Sequence, residues 1–559
     1  MTRPANHFAM PLWRRLSFQL LSACIFVLSL GFVRKGFQIL VGPSLSIDPS
    51  LSRQFIAFYR DSLSPEPVER CMYLITLLFL PPFLLFFVYR QRSCESLRRL
   101  WVNDWVDAAI GLATAFFLVI PIISNIFPTL YFALRTAPLS LLSAPAVRSI
   151  SYFLLLHGWV ICLALALVFV IVFGLQNLIP HWRRIPRNMA RIIIFISTIF
   201  LMALGLNSFR LFSFDHLDGN SIWWVHLDVV ASSLSQVIAG RTLLVDIPSQ
   251  YGLFPELLAP VLDFLPAGVV GLTIAFGVLQ VTAFVAILYV LQKHIHSLLV
   301  LALASFALVT VTFGMRQILN SDSFLVPDPY FQYWPVRFVA PALSIPVVFW
   351  AFHRLSWRRL LGLSFLIGVS LFWNLDSGVA ILYAVGMLLF LLALASFFSC
   401  EDGKLPGKLP LLAVGCVMIP VGSLIFYGLG LALLVLKAGQ PLNLVWLVSY
   451  QKIFYKMGFF MIPMQGRPSF WQVIALVYIF GVLIGLYKLR LSYSNRSVLP
   501  LLYISLLGSG LFAYYQGRSH IIVLEYVSWP AFIVMAAVVV GNHHAKPKLL
   551  ARFNLNFLR

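Results

Sequence analysis

Apolar residues in this chain come in long unbroken runs separated by short polar stretches, not in the alternation of a half-buried strand or the one-sided stripe of a soluble helix. An α-helix crosses a bilayer core with roughly 20 such residues. At that length the runs predict spans near 17–33, 71–89, 105–124, 151–175, 190–208, 268–291, 297–314, 338–352, 360–374, 378–398, 409–436, 470–487, 498–514 and 527–541. The expected fold is an all-α polytopic membrane protein of about 14 transmembrane helices, with a range of 12–14, and no large soluble domain. The first run follows Arg14 and Arg15 and precedes Arg34 and Lys35, with no small-residue cleavage site, which predicts a retained helix that anchors the chain.

The polar stretches set the orientation. Arg90, Arg92, Arg98 and Arg99, then Arg183, Arg184, Arg187 and Arg191, then Arg354, Arg358 and Arg359, then Lys488, Arg490 and Arg496 all fall on one side of the predicted spans. Basic loops remain in the cytoplasm, so both termini are expected there, with any active site facing outside. The expected divisions are an N-terminal bundle of five helices (1–209), an extracytoplasmic acidic loop (210–267), a C-terminal bundle of nine helices (268–545) and a basic tail (546–559).

Composition agrees: 60% of residues are hydrophobic and 11% charged, and the mean hydropathy is +0.92. The formal charge of +21 sits in short clusters between apolar runs, a topological pattern that attracts anionic lipid and provides no continuous surface for nucleic acid. The six cysteines are scattered without a CxxC pair and predict neither disulfides nor a metal site.

Acids are scarce, 19 in 559 residues, yet Asp215, Asp218, Asp228, Asp246 and Glu256 crowd between two membrane-length runs, beside His216, His226 and Arg241. Carboxylates beside a bilayer are costly and tend to mark function. Trp223, Leu227, Val230, Leu234 and Ile238 recur at helical spacing, which predicts a helix lying on the outer leaflet and stopped by Gly240. It would hold Asp228 at the bilayer surface, where partial desolvation favours a general base; Asp228 and His226 fit equally the wet face of such a helix. Pro248 and Gly252 bracket a turn that fixes Asp246 and Tyr251 near the membrane boundary.

Three other outer loops gather polar groups: Asp322 to Arg337, Trp373 to Gly378 with Asp376 at its centre, and Tyr514 to His520 with Arg518. Arginine suits phosphate because its planar fork makes bidentate hydrogen bonds. Arg337 and Arg518, on the face without the basic clusters, are therefore the phosphate candidates; pairing with a headgroup or a local carboxylate is the plainer alternative for each. No nucleotide fingerprint or hydrolase motif occurs in a supporting context, so outer chemistry would use a donor carried in the membrane.

His226-Leu-Asp228, then Gly240-Arg241, then Leu-Val-Asp246-Ile-Pro-Ser-Gln-Tyr251-Gly252 resembles the first large outer loop of GT-C glycosyltransferases, and Tyr515-Gln-Gly517-Arg518-Ser519-His520 resembles a late outer loop of the same superfamily. The likeness covers roughly 210 to 530 and departs in placing five spans, where one is usual, before the acidic loop. It implies an inverting enzyme that moves a sugar from a polyprenyl-phosphate donor to a glycan or lipid acceptor. The base would be Asp228, Asp218, Asp215 or Asp246. His226, Arg241, Tyr251, Arg337, Asp376, Arg518 and His520 would bind substrate or phosphate, and magnesium or manganese beside the acids is compatible without being required. Two other functions remain open: a polysaccharide polymerase or ligase using lipid-pyrophosphate-linked glycans, and a lipid or sugar transporter or flippase.

Overall fold

The computed structural model describes residues 66–90, 187–208, 221–263, 269–295, 335–398, 409–456, 470–491, 498–519 and 521–543, with scattered positions between 298 and 308 and between 458 and 464. The helices are α1 (Pro67–Arg90), α2 (Arg187–Ser208), α3 (Ser221–Ile238), α4 (Phe254–Asp263), α5 (Val269–His294), α6 (Pro335–His353), α7 (Trp357–Trp373), α8 (Leu375–Phe398) and α9 (Leu409–Ala438). They continue with α10 (Leu444–Gln451), which runs into a π-helical turn (Lys452–Lys456), then α11 (Phe470–Leu491), α12 (Val498–Gly517) and α13 (Ile521–His543).

Ten predicted spans coincide with described helices: α1, α2, α5, α6, α7, α8, α9, α11, α12 and α13. Seven of these are long and apolar enough to cross a bilayer by length and composition, and the protein is an integral membrane protein. Predicted spans 17–33, 105–124 and 151–175, and most of 297–314, lie outside the described residues, so the expected total of 14 rests on sequence alone.

α12 lies at the centre, with 78% of its apolar window buried against 22% for α9 at the edge. It packs on α1, α6, α8, α11 and α13. Small residues let the backbones close up: a side-chain carbon at Gly368 of α7 would stand 2.9 Å from the Ser423 carbonyl of α9, and one at Gly508 of α12 would enter the Tyr478 ring of α11. Hydrogen bonds between helices add to this in an apolar medium. Ser344 Oγ of α6 meets Tyr503 Oη of α12 at 2.7 Å, and Tyr383 of α8 donates to the Leu77 carbonyl of α1 at 2.8 Å. α1 packs directly on α8, α11 and α12.

The turns joining α6 to α7 to α8 and α11 to α12 to α13 reverse the chain each time, and the bundle has two unlike ends. One gathers the described basic clusters: Arg490 donates to the Val88 carbonyl, Arg191 to Ile295 and Arg359 to Trp350. At the other end stand Arg70, Arg337, Asp376 and Arg518. The segment 229–263 caps this second end with its own apolar cluster, in which Val230, Leu234, Val237, Tyr251 and Phe254 pack against Phe276, Val336, Phe372 and Leu434.

Gly240 stops α3 as expected. At φ +90 it occupies the left-handed region, its N–H bonds to the Val237 carbonyl and the Arg241 N–H to that of Gln236, a Schellman closure. The stripe predicted for α3 differs at its end. Val230, Leu234 and Val237 are buried while Ile238 is 41% exposed, because the final turn meets α4 through the i+3 position.

Candidate functional site

The cap is bolted down at a few points. Asn374 separates α7 from α8: its N–H closes the last turn of α7 on Ser370, and its Oδ1 accepts from the Ser377 N–H to cap α8. Its Nδ2 donates to the Tyr251 carbonyl at 2.8 Å, and Leu253 N–H bonds to the Phe372 carbonyl at 2.9 Å. Gly252 makes this approach feasible. Its φ is +104, and a side-chain carbon there would lie 2.3 Å from the Trp373 carbonyl oxygen. On the far side Glu256 accepts from the Leu243 N–H and from Lys437 of α9 at 2.7 Å.

Tyr251 is thereby placed over the N-terminus of α6, where Arg337 is 6% exposed. Such a buried guanidinium must be paired and hydrogen-bonded. Arg337 Nη2 bonds to Asp376 Oδ2 at 3.1 Å, Nη1 donates to Tyr514 Oη at 2.6 Å, and the guanidinium faces the rings of Tyr514 at 4.0 Å and Tyr251 at 5.2 Å. Its carbonyl accepts from Ser377 and Tyr526, so main chain and side chain are both fixed. Arg518 lies over the ring of Phe454 at 4.7 Å, held there because the Ser519 N–H bonds to the Ile462 carbonyl.

These groups line one cleft: Tyr251, Arg337, Asp376 and Arg518, with Gln250, Gln451, Phe454, Tyr455, Met461, Tyr514 and Gly517. Its free volume is about 20 Å³, room for about one water, so a larger anion enters only as lining side chains part. Burial pushes the Tyr251 hydroxyl well above its ordinary 10.0, with Arg337 pulling the other way. Burial raises Tyr455 likewise, assisted by Asp376 and opposed by Arg70 and Arg337. Both stay neutral phenols able to donate a hydrogen bond.

Four of the expected binding residues thus converge: Tyr251, Arg337, Asp376 and Arg518. Asp246 stands elsewhere. It is exposed, and its Oδ2 accepts from the Thr242 N–H at 2.7 Å, closing a tight loop in which Leu244 takes φ 66. Arg241 is exposed and meets Lys437 through its carbonyl. Asp215, Asp218 and His520 lie outside the described residues, as do the side chains of His226 and Asp228 on α3. Among the described residues no three His, Cys, Asp or Glu gather as metal ligands.

Sequence reasoning passed over Gln451, the last residue of α10, Tyr455, from the π-helical turn that follows it, and Arg70, from α1. Arg70 met the criterion that singled out Arg337 and Arg518, a cation at a helix mouth on the face lacking the basic clusters; Tyr455 and Gln451 carry no comparable signal. Comparison with protein-family models, curated proteins and solved structures returns no match to this chain.

Proposed function

We propose that this chain is an integral-membrane glycosyltransferase whose cleft binds the phosphate of a polyprenyl-linked sugar donor at the outer face of a bacterial cytoplasmic membrane. The observation that carries this reading is the meeting, from four distant segments, of Tyr251, Arg337, Asp376 and Arg518 in one cleft at the bundle end opposite the basic clusters. Basic clusters mark the cytoplasmic side, so the cleft opens outward, where a lipid-linked donor is the available activated sugar. The acceptor hydroxyl attacks the anomeric carbon, the bond from that carbon to the phosphate oxygen breaks, and the electron pair leaves on the lipid phosphate. Arg337 and Arg518 meet that developing charge with preorganised donors. The acceptor's proton passes to a carboxylate of the acidic loop, Asp228 or Asp218.

A second reading, a polymerase or ligase that transfers whole glycans from a lipid pyrophosphate, is favoured by one observation: among the described residues Asp376 is the sole carboxylate on the lining, and it is engaged by Arg337. Transfer from a lipid-linked donor in proteoliposomes tests both. Arg337→Gln and Arg518→Gln are each expected to lower the rate by about a hundredfold, the scale of losing one oxyanion donor. Asp246→Asn is expected to keep nearly wild-type rates, since an amide oxygen can still accept from Thr242. Wild-type rates in both arginine variants would rule out the cleft as the donor site, and an Arg518 effect far exceeding that of Asn at 215, 218 and 228 selects the second reading.

A further inference from the structure

Beyond Arg337 and Arg518, a third guanidinium reaches the cleft wall. Arg70, in the first turn of α1, stacks 3.5 Å from the ring centroid of Tyr455, and its Nη1 lies 3.3 Å from where a side-chain carbon would begin at Gly517. Tyr455 and Gly517 both line the cleft. The Arg70 Nη1 is shut off from solvent and has no hydrogen-bond acceptor among the described residues, and Gln451 Oε1 is buried there without a donor. A buried cationic N–H without an acceptor is costly and uncommon in native structures. An oxyanion from a ligand would satisfy it, and a ligand hydroxyl would satisfy the glutamine.

The three arginines share one arrangement. Arg337 lies on Tyr514, Arg518 on Phe454 and Arg70 on Tyr455. Face-on stacking uses the flat side of a guanidinium and keeps its N–H groups in the plane parallel to the ring, where oxygen acceptors meet them, as Asp376 and Tyr514 already do at Arg337. A phosphodiester carries a single charge, which the pair Arg337 and Arg518 already meets, with Asp376 balancing one of them. A third guanidinium, packed against the cleft-lining Tyr455 and Gly517, suits a second phosphoryl group.

We infer that the cleft recognises a diphosphate, the pyrophosphate linkage of a lipid-carried glycan, with Arg70 binding the phosphoryl group that Arg337 does not. This rests on the cleft being the donor-phosphate site. The bond that breaks is again that between the anomeric carbon and the proximal phosphate oxygen, and the lipid diphosphate leaves with the electron pair and one more negative charge than a monophosphate would carry. Arg70 meets that added charge.

Titration calorimetry of the full-length protein in detergent micelles, with inorganic pyrophosphate and inorganic phosphate as probes, tests the assignment. Pyrophosphate is expected to bind about tenfold more tightly than phosphate, the scale of one further charge-assisted hydrogen bond. Arg70→Gln should remove that preference and leave phosphate affinity within about twofold, whereas Arg337→Gln should weaken both anions. Gly517→Ala, which pushes a methyl against Met461, Tyr455 and Arg70, should also cut the preference; it decides the matter if Arg70→Gln loses its melting transition. Equal affinity of the wild type for the two anions, binding of neither, or equal loss of both in Arg70→Gln overturns the inference. Selective pyrophosphate binding without sugar transfer would refute the glycosyltransferase reading alone, and transfer without that selectivity would refute the diphosphate assignment alone.

Discussion

Asp376→Asn separates the two duties of the Arg337 pair. The Arg337 side chain is 7% exposed and the Asp376 side chain 28%, so removing the carboxylate charge leaves a buried guanidinium with the Tyr514 oxygen and two aromatic faces. Breaking a fully buried pair costs about 3–5 kcal/mol; the partial exposure of Asp376 and the retained Tyr514 bond reduce this to about 2 kcal/mol. The same substitution removes the competitor that an incoming oxyanion must displace from Arg337, so phosphate affinity should rise by about tenfold, or 1.4 kcal/mol. Denaturant titration in mixed micelles, with and without phosphate, reads both effects at once. The account expects an empty protein that unfolds earlier and a liganded protein that recovers most of the difference. An Asp376→Asn protein as stable as the wild type, or one that binds phosphate more weakly, would refute the view that Asp376 occupies the anion's place on Arg337.

Two further predictions concern the cap. Gly252→Ala should lose about 3 kcal/mol or more, because it combines a left-handed backbone with a contact against the Trp373 carbonyl and frees the Tyr251 and Leu253 hydrogen bonds. Gly240→Ala, also at positive φ but facing open space, should lose only about 1 kcal/mol, and melting curves of the two variants check the contrast. Tyr251 and Tyr455 should ionise far above the ordinary 10.0. Because the folded protein holds those protons more tightly than the unfolded chain, their contribution to stability is complete below pH 10.0 and is lost as pH rises beyond it. Phenolate absorbance in Tyr251→Phe and Tyr455→Phe should therefore lack a late alkaline step, and an early step lost instead would contradict the burial.

Span placement was the most legible part of the fold, because the hydrocarbon requirement writes long apolar runs into the sequence; α9 and α12 begin at the expected residues and run two or three residues past the expected ends. Gly240 and Gly252 were legible as chain-direction signals. Which span lies at the centre was not, since α9 and α12 are comparably apolar and differ in what packs on them. At the site, Arg337 and Arg518 stood out by charge on the face that lacks the basic clusters. Their convergence with Tyr251 depends on Asn374 gripping a carbonyl 123 residues earlier in the chain, a long-range contact with no local pattern. Asp246 lies near Tyr251 in sequence but stands apart from the cleft, where its carboxylate closes its own loop.

The central claim, that the cleft between Arg337, Arg518 and Tyr251 receives the donor's phosphate, is tested most directly by an electron-microscopy map of the full-length protein with a non-transferable lipid-linked phosphate analogue. The account predicts density for the phosphate against Arg337 and Arg518, with Asp376 drawn away from Arg337. Phosphate density at the end carrying Arg354 and Arg490, or none in the cleft at saturating analogue, would contradict it.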